Sequence, residues 1–435
     1  MRRLPVGVLR RGTFAAFALS VCIATGCTGA SQNVAVARSI SPIVTPRPTA
    51  STRATPTPHA SPDPSSAISV DPIHASWTKA IGAAIDGRDV SVAVGLDNRI
   101  VYTHLGEEPR VLASNEKLLT SMTALDLLGP SFRYRTSAAS DERPRAGVLH
   151  GDLWLVGSGD PTLTPSDLAA LAQRLRSSGL QRVTGRVRGD MSAFDRGWWA
   201  PGWLPGISRH YVTRPTALRL DGADSSPEPE ATAVFAASLR AAGIEIDGAT
   251  SVGATPADVQ TLAAVDSPPM AELLIEQNHE SNNLYAELAD KALGAAEGDE
   301  GSTAAGARVI QRWASRDGSD STVRDGSGLS DQDRTSANGM ITMLLSARRT
   351  AWFGSLYRSL PAGGEGTLSS RLAGVPVRAK TGTLFIRPAS TLSGYVRTQA
   401  HTLVAFSVLT HDLPESIALA IEDGIVRTLA ASSIR

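Results

Sequence analysis

Three short motifs built around a scarce residue type constrain this chain more than any other feature of its sequence. They are Ser114-Asn115-Glu116-Lys117, Ser281-Asn282-Asn283 and Lys380-Thr381-Gly382, in that order along 435 residues. The chain has four lysines against 38 arginines, and two of the four lie in these motifs. A buried amine can lose its proton, whereas a guanidinium stays charged. The motifs therefore predict a fold that joins three distant segments around an uncharged amine.

Ser114 and Lys117 lie three residues apart at the start of a predicted helix that ends at Gly129-Pro130. At this spacing both side chains lie on one helix face, as a nucleophile and its base require. The helix N-terminus would favour the negative charge that develops during attack. Ser-x-x-Lys alone is a weak pattern, because a serine at a helix start is usually an N-cap. The interpretation rests on the three motifs together.

The third motif continues to Thr383 and lies in a β-like run from Val375 to Leu384. Gly382 would let the backbone of the strand approach a ligand closely. Lys380 and the threonine hydroxyls are suited to bind a carboxylate. The second motif predicts an interhelical turn, where Ser and Asn are common, and it is the least specific of the three.

The N-terminus predicts export. Four arginines within the first eleven residues precede an apolar run from Thr13 to Thr25, which is typical of a signal peptide and too short to span a bilayer. Ala24-Thr25-Gly26-Cys27 resembles a bacterial lipoprotein cleavage box, so residues 1–26 are predicted to be removed and Cys27 lipidated. Ordinary signal cleavage nearby is the alternative.

Composition excludes other classes of protein. Basic and acidic residues balance at 42 each, which gives no indication of nucleic-acid binding. Both cysteines, Cys22 and Cys27, lie in the leader, so no disulfide is expected in the exported part. The eight histidines show no ligand spacing, and we expect neither a metal nor another cofactor.

The remaining sequence divides into a linker and two folded parts. Residues 27–72 are rich in Pro, Ser and Thr and predict a semi-extended linker. Residues 73–131 and 266–435 are expected to form the main domain. Residues 132–265 are richer in Gly, Pro and short β-like runs, with one predicted helix from Ser166 to Gly179, and predict an inserted smaller domain. Its tryptophans are interpreted as packing within that domain.

Strands in the main domain are predicted at its beginning and near its end. Val90 to Gly95 and Arg99 to His104 flank an Asp-Asn turn and predict a hairpin. Three strand-like runs, the first of them the run with Lys380, precede a closing helix from Pro414 to Ala430. The inserted domain contains none of the three motifs, so we expect it to shape access to the site without supplying catalytic groups.

These motifs resemble those of the active-site-serine penicillin-binding proteins and β-lactamases. More closely, they are similar to the class C low-molecular-mass penicillin-binding proteins, the serine D-alanyl-D-alanine carboxypeptidases and endopeptidases. The resemblance extends from about Ser76 to the C-terminus. The matching stretches are Ala113 to Thr120, Gly159 to Leu163, Ser281 to Glu287, Asp325 to Ser330, Gly366 to Leu368 and Lys380 to Leu384. The resemblance implies an α/β fold with a transpeptidase/β-lactamase-like antiparallel sheet, flanked by helices and interrupted by the inserted domain.

The resemblance also implies a role for each motif residue. Ser114 would be the acylated nucleophile and Lys117 its general base, with Ser281 relaying a proton to the leaving amine. Asn283 would hold the substrate amide. Lys380 would lower the pKa of Lys117 and help to anchor the terminal carboxylate. The substrate-binding residues of the third motif would be Thr381, Gly382 and Thr383.

The family resemblance implies peptidoglycan stem peptides as substrates and β-lactams as covalent inhibitors. The protein would act at the outer face of the cytoplasmic membrane as a lipoprotein, or as a secreted enzyme. Two departures concern the loop Asp331-Gln332-Asp333-Arg334, where the family usually has Arg and Asn, and the segment Phe385 to Thr391, which is slightly long.

Three alternatives remain open at the level of sequence. The first is a β-lactamase of the same fold, which is less favoured because 167 positions separate Ser114 from Ser281 and no Glu-x-x-x-Asn follows. The second is a non-catalytic wall-binding scaffold, against which the complete motifs argue. The third is the choice between carboxypeptidase and endopeptidase, which depends on the shape of the pocket.

Overall fold

Two larger β-sheets, each packed against helices, organise the described part of the chain. The computed structural model describes residues 75–204, 206, 210–223, 226–299, 301–384 and 388–435. The predicted signal peptide, Cys27 and most of the linker lie outside these residues. We call residues 75–131 and 266–435 the main region and residues 132–265 the inserted region.

The helices of the described residues are α1 (Ala75–Ile85), α2 (Glu116–Leu127), α3 (Pro165–Ser177), α4 (Pro227–Ala241), α5 (Met270–His279), α6 (Asn283–Ala296), α7 (Thr303–Arg316), α8 (Ala337–Ala347), α9 (Phe353–Ser359) and α10 (Glu415–Ala430). The strands are β1 (Val90–Leu96), β2 (Arg99–His104), β3 (Arg110–Val111), β4 (Arg135–Ser140), β5 (Val148–Leu149), β6 (Leu153–Val156), β7 (Arg182–Val183), β8 (Val187–Asp190), β9 (Glu245–Ile246), β10 (Thr250–Gly253), β11 (Gln260–Asp266), β12 (Arg334–Thr335), β13 (Val377–Leu384), β14 (Ala389–Arg397) and β15 (Leu403–Thr410).

The main sheet is antiparallel throughout, with the strand order β13-β14-β15-β1-β2. It confirms the predicted hairpin and the three C-terminal strands. All residues of β1 are buried because helices cover both faces of the sheet. Val92 and Val94 join the apolar cluster of α1 and α10, whereas Ala93 joins the cluster of α2 and α8. Alternation along a strand sends neighbouring side chains to opposite faces.

The inserted region forms a second, mixed sheet with the order β10-β8-β6-β4-β11. Its core consists of apolar side chains from this sheet and from α3 and α4. The prediction of a single helix in this region is wrong, because α4 spans Pro227–Ala241. Its apolar face, Ala231, Phe235 and Leu239 at four-residue spacing, and a proline at its first position are the signals that identify it.

The fold class predicted from the motifs is confirmed: an α/β fold with an antiparallel sheet flanked by helices. In the main region α2 lies among α5, α6, α7 and α8 in one apolar cluster, with α2 contributing Leu118, Leu119 and Met122. Of the helices that the structure describes, none has both the length and the apolar character needed to cross a bilayer.

Candidate active site

Ser114 lies in a tight turn that leads into the central helix α2. A 3-10 turn covers Ala113–Asn115, and the α-helix begins only at Glu116. Neither the 3-10 turn nor α2 has a side-chain cap at its N-terminus, so Ser114 does not act as a helix cap. Ala113 has a φ of +45°, in the left-handed region that costs an alanine roughly 1–2 kcal/mol. This strained turn leaves the Ser114 side chain partly exposed while its neighbours are buried.

Lys117 is fully buried and its amine contacts three oxygen atoms. Nζ lies 3.1 Å from Ser114 Oγ, 2.7 Å from Asn283 Oδ1 and 2.6 Å from the backbone oxygen of Ser327. The last two are carbonyl oxygens, which only accept hydrogen bonds. A neutral amine has two N–H groups and one lone pair. If those two oxygens take the two N–H groups, the lone pair points toward the hydroxyl of Ser114.

The environment of Lys117 favours this uncharged form. Burial lowers the pKa of Lys117 to about 8, although the nearby carboxyl groups of Asp325, Glu287 and Glu116 act in the opposite direction. Roughly a tenth of the amine is then neutral at pH 7. Arginine at this position would remain charged. The scarcity of lysine in the sequence therefore points to a position at which the chemistry of the amine matters.

The second motif lies in the turn between α5 and α6. Ser281 has a φ of +56°, and the side chain of Asn282 caps α6 by accepting from the backbone N–H groups of Leu284 and Tyr285. Asn283 is the first residue of α6 and joins the turn to Lys117. Among the described residues, Ser281 Oγ has no hydrogen-bond partner. The structure therefore brings Asn283 into contact with the first motif and leaves the Ser281 hydroxyl unpaired.

The third motif lies on the edge strand β13, next to the turn that holds Ser114. A Cβ atom on Gly382 would lie 2.9 Å from the backbone nitrogen of Ser114 and 2.3 Å from Thr391 Oγ1. Glycine is therefore required for β13 to approach Ser114 this closely. Thr381 Oγ1 donates to Thr367 Oγ1 at 2.8 Å, and Thr383 is exposed.

Lys380 of the same strand is fully buried, and its Nζ donates to the backbone oxygen of Thr381 at 2.8 Å. Burial, followed by the like charge of Lys117, holds the pKa of Lys380 well below its usual value. The charge of Lys117 thus acts on Lys380, whereas the lowered pKa of Lys117 comes from burial. That Lys380 lowers the pKa of Lys117 stays a prediction.

Behind Lys117 lies a cluster of buried carboxyl groups that the sequence analysis did not identify. Its members are Glu116, Glu287, Asp290, Asp325 and Asp333. Burial is the main cause that raises the pKa of Glu287 to about 8, and it also raises the pKa of Glu116, Asp290 and Asp333 well above the usual value. In the described residues, no three His, Cys, Asp or Glu side chains are arranged to hold a metal ion.

A signal for part of this cluster exists in the sequence. Glu287 and Asp290 follow Asn283 at four and seven residues, so they share one face of α6 with a motif residue. Charged residues at this spacing behind a site residue indicate a polar, buried helix face. Asp325 and Asp333 lie in a loop, where no periodic pattern marks them.

The inserted region also reaches the site. Trp203 is buried, packs with Leu284 and Leu329 of the main region, and donates its indole N–H to Asp325 Oδ2 at 2.5 Å. Asn283 Nδ2 donates to the backbone oxygen of Tyr211 at 2.8 Å. Trp203 packs with Ala200 and Val212 of the inserted region, as interpreted from the sequence, and contacts the main region as well. The inserted region thus bonds to Asn283 of the second motif and to Asp325.

Lys291 attaches the inserted region at a second point. It is fully buried on α6, where its Nζ lies 2.6 Å from Asp195 Oδ1 and 2.8 Å from the backbone oxygen of Gly197. The Lys291 side chain is buried while that of Asp195 is 33% exposed, and loss of Asp195 would leave the buried amine without its counter-charge. The helix that carries Asn283 is thus tied to the inserted region along its length.

Comparison with known proteins agrees with the geometry. The D-Ala-D-Ala carboxypeptidase 3 (S13) family model matches residues 81–227 and 220–432. The D-alanyl-D-alanine carboxypeptidase of Actinomadura sp. (strain R39) is 29% identical over 426 residues, which covers 76% of this chain and 78% of that protein. Carboxypeptidase DacB of Mycolicibacterium smegmatis is 29% identical over 389 residues, covering 78% and 81% of the two chains.

Among solved structures, penicillin-binding protein 4 from Haemophilus influenzae has the same fold. Its TM-score is 0.70 at 21% sequence identity, and the match covers 82% of this chain and 100% of that one. A second structure of that protein, complexed with a β-lactam, matches with a TM-score of 0.65. With a family model that spans most of the described residues, the chain belongs to the D-Ala-D-Ala carboxypeptidase 3 (S13) family, serine-type carboxypeptidases of the class C low-molecular-mass penicillin-binding proteins.

Proposed function

We propose that this protein is an exported serine-type D-Ala-D-Ala carboxypeptidase that acts on peptidoglycan stem peptides through an acyl-enzyme on Ser114. The family supplies the substrate class. The assignment to these residues rests on the three oxygen atoms that Lys117 Nζ contacts. Two carbonyl oxygens occupy its N–H groups and Ser114 Oγ lies at 3.1 Å, which is the geometry of a base beside its nucleophile.

In the acylation step Lys117 takes the hydroxyl proton of Ser114 while Oγ attacks the carbonyl carbon of the penultimate D-Ala. The backbone N–H groups of Ser114 and Thr383 receive the negative charge that forms on the carbonyl oxygen. The close approach of β13 to the Ser114 nitrogen at Gly382 supports this pairing. Both donors belong to the backbone, so they need no reorganisation during the reaction.

In the next step the C–N bond breaks and the terminal D-Ala leaves as an amine. Its proton comes from Lys117 through the hydroxyl of Ser281, which has no hydrogen-bond partner among the described residues and is free to take part. Water then attacks the ester on Ser114, and Lys117 takes a proton from this water and returns it to Ser114 Oγ as the ester C–O bond breaks. The products are a shortened peptide and the regenerated serine.

Substrate recognition uses the third motif and Asn283. Lys380, Thr381 and Thr383 bind the terminal carboxylate, with Gly382 allowing the close approach, and Asn283 holds the substrate amide. A β-lactam enters the same site, and its ring opens on Ser114. No metal or other cofactor takes part in these steps.

Residues 132–265 form an inserted domain in this proposal, as the separate sheet and the separate apolar core support. The contacts of Trp203 and Tyr211 give this domain a role in the walls of the site. The sequence-based expectation that it only shapes access is therefore replaced by one in which it also supports motif residues.

The decisive experiment is labelling with a fluorescent penicillin, followed by peptide mapping and an assay of D-Ala release from a peptide ending in D-Ala-D-Ala. We expect a slowly hydrolysed adduct on Ser114 and release of D-Ala. Rapid turnover of penicillin without D-Ala release would identify a β-lactamase instead. A folded protein that neither forms an adduct nor cleaves the peptide would leave only the scaffold interpretation. A cross-linked peptide substrate separates endopeptidase from carboxypeptidase activity.

The cellular location is proposed from the leader. Residues 1–26 export the protein, Cys27 carries the lipid, and residues 27–72 let the enzyme extend from the outer face of the membrane. We expect Cys27→Ser to move the protein from the membrane to the soluble fraction without changing its specific activity. A soluble unmutated protein would refute the anchor and leave the peptidase assignment intact.

A further inference from the structure

Asp325 accepts hydrogen bonds from four N–H groups in the interior of the site. Its side chain is fully buried. Oδ1 accepts from the backbone N–H groups of Ser327 at 3.0 Å and Gly328 at 2.6 Å, and Oδ2 accepts from that of Ser330 at 2.8 Å. The indole of Trp203 donates the fourth bond, also to Oδ2. One carboxylate therefore fixes the backbone of residues 325–330.

The loop fixed in this way presents the Ser327 carbonyl oxygen to Lys117 at 2.6 Å. Together with Asn283 Oδ1, this oxygen takes the two N–H groups of the neutral amine. If the carbonyl moved away, an N–H group would be free to rotate toward Ser114. The amine would then donate to the hydroxyl that it has to deprotonate. The direction of the lone pair of Lys117 thus depends on the position of this loop.

The loop 325–330 lies so close to the turn at Ala113 that the Ser327 carbonyl has little room to move. A Cβ atom on Gly328 would lie 1.8 Å from the backbone oxygen of Ala113. Gly328 has a φ of +78°, and a residue with a side chain would be strained in this conformation. The loop is therefore shaped to pass directly beside the residue that precedes Ser114.

The inserted region holds the same loop from the other side. Besides the indole of Trp203, the backbone oxygen of Pro201 accepts from Ser330 Oγ at 2.7 Å. Trp203 lies 122 positions before Asp325 in the sequence. The contact between these two residues connects the inserted region to the base through a single carboxylate and the loop that it orders.

Other ionisable groups face Lys117 and Asp325 from each neighbouring element. They are Glu116 on α2, Glu287 and Asp290 on α6, Asp333 after the loop and Lys380 on β13. Asp333 Oδ1 accepts from the backbone N–H of Arg324 at 2.6 Å, and burial followed by the charge of Asp325 raises the pKa of Asp333 well above its usual value.

We propose that Asp325 is the positioning residue for the catalytic base: through the Ser327 carbonyl it directs the lone pair of Lys117 to Ser114, and through Trp203 it makes this direction depend on the inserted region. The proposal rests on the proposed function, in which Lys117 is the base for acylation. Asp325 does not contact substrate in it. Its effect is confined to the rate of acylation and to the pH dependence of that rate.

The first test compares two buried tryptophans that each donate to a carboxylate, buried for Asp325 and partly exposed for Asp126. Trp203→Phe removes the bond to Asp325, and Trp313→Phe removes the matching 3.1 Å bond to Asp126 at the far end of α2. The rate of acylation by penicillin is measured between about pH 6 and 10, together with the melting temperature. We expect Trp203→Phe to lower the high-pH plateau about ten-fold, and Trp313→Phe to stay within about two-fold of the unmutated protein. Equal rates for the two variants would overturn the proposal.

The second test separates charge from geometry. Asp325→Asn removes a negative charge that raises the pKa of Lys117, so the midpoint of the acylation profile should move to lower pH while the plateau falls. Asp333→Asn changes another buried acid of the same cluster, one that accepts from the Arg324 N–H and not from the N–H groups of residues 327–330, and its plateau should stay within about two-fold of the unmutated protein. An unchanged plateau in Asp325→Asn would refute the positioning role. Failure of the proposed function is seen separately, because the unmutated protein would then form no adduct at Ser114.

Discussion

Beneath Ser114 the main region buries Glu116, Lys117, Glu287 and Asp325, whereas between α3 and α4 the inserted region buries leucine, valine, alanine and phenylalanine. The inserted region does bury Asp160 and Asp190. Each accepts from the backbone N–H group two residues later, at 2.8 and 2.7 Å, and Asp190 also accepts from Thr255, 65 positions away. The acids of the main region instead form a cluster around one lysine.

This difference shows that the main region is the part of the fold whose stability is lowered by burying ionisable groups around the site. An isolated apolar core gains stability from every side chain that it buries. Buried ionisable groups cost free energy unless they are paired or neutralised. Burial raises the pKa of Glu116, Glu287 and Asp290, so the interior of this cluster disfavours their charged forms. Mutations in the two regions should therefore change different properties, and the following experiments test that contrast.

The largest effect is expected for Ser114→Ala. Penicillin labelling and D-Ala release should fall by at least about 10³-fold, because the acylated atom is removed. The melting temperature should change little, since Ser114 caps no helix. The matched control is Ser178→Ala in the inserted region, which removes a 2.8 Å bond to the Leu175 carbonyl and should leave labelling unchanged. A labelled, folded Ser114→Ala protein would contradict the assignment of the nucleophile.

Lys117→Arg should lower acylation about 10²- to 10⁴-fold, because arginine cannot supply a neutral amine. In the unmutated protein the rate should rise with pH to a midpoint near 8, the value to which burial lowers the pKa of Lys117. Lys380→Arg should be milder because it keeps a charge for the carboxylate. Lys291→Arg is the control, since this buried lysine only has to pair with Asp195. Comparable losses in Lys117→Arg and Lys291→Arg would mean that packing, and not proton transfer, explains the effect.

Phe235→Ala should show the opposite pattern in the inserted region. Phe235 is fully buried in the apolar core, and its truncation should lower the free energy of unfolding by about 3–5 kcal/mol. The acylation rate of the molecules that remain folded should be nearly unchanged. Denaturant unfolding and penicillin labelling of the same samples measure both quantities. The smaller cavity in Phe235→Leu should give a smaller loss, and a large loss of acylation in either variant would remove the contrast between the regions.

The smallest effect is a pH dependence of stability. The raised pKa of Glu287, about 8 in the folded state, means that the folded protein binds more protons than the unfolded chain between about pH 4.5 and 8. Stability should therefore fall as the pH rises through this window, by about 1 kcal/mol per pH unit for each such group. Melting temperatures at several pH values measure this slope. Glu287→Gln should reduce it, and an unchanged slope would place the proton elsewhere in the cluster.

Strong local patterns made several elements predictable from the sequence. The hairpin of β1 and β2 follows from two β-rich runs around a turn, and α3 follows from its apolar spacing. Element boundaries were less accurate, as for α2, which begins two residues after Ser114 because a strained 3-10 turn precedes it. The alanine-rich α4 was missed, since alanine gives a weak apolar stripe.

The order of the motifs, the scarcity of lysine and the resemblance that they carry can all be read from the amino-acid sequence, and they predict which groups react. How those groups are supported depends on tertiary packing. The contact of Trp203 with Asp325 spans 122 positions, and that of Lys117 with Ser327 spans 210. Helical and strand periodicities relate residues only a few positions apart. Contacts at these separations arise when the sheets and helices pack, so the support of Lys117 is visible only in the folded molecule.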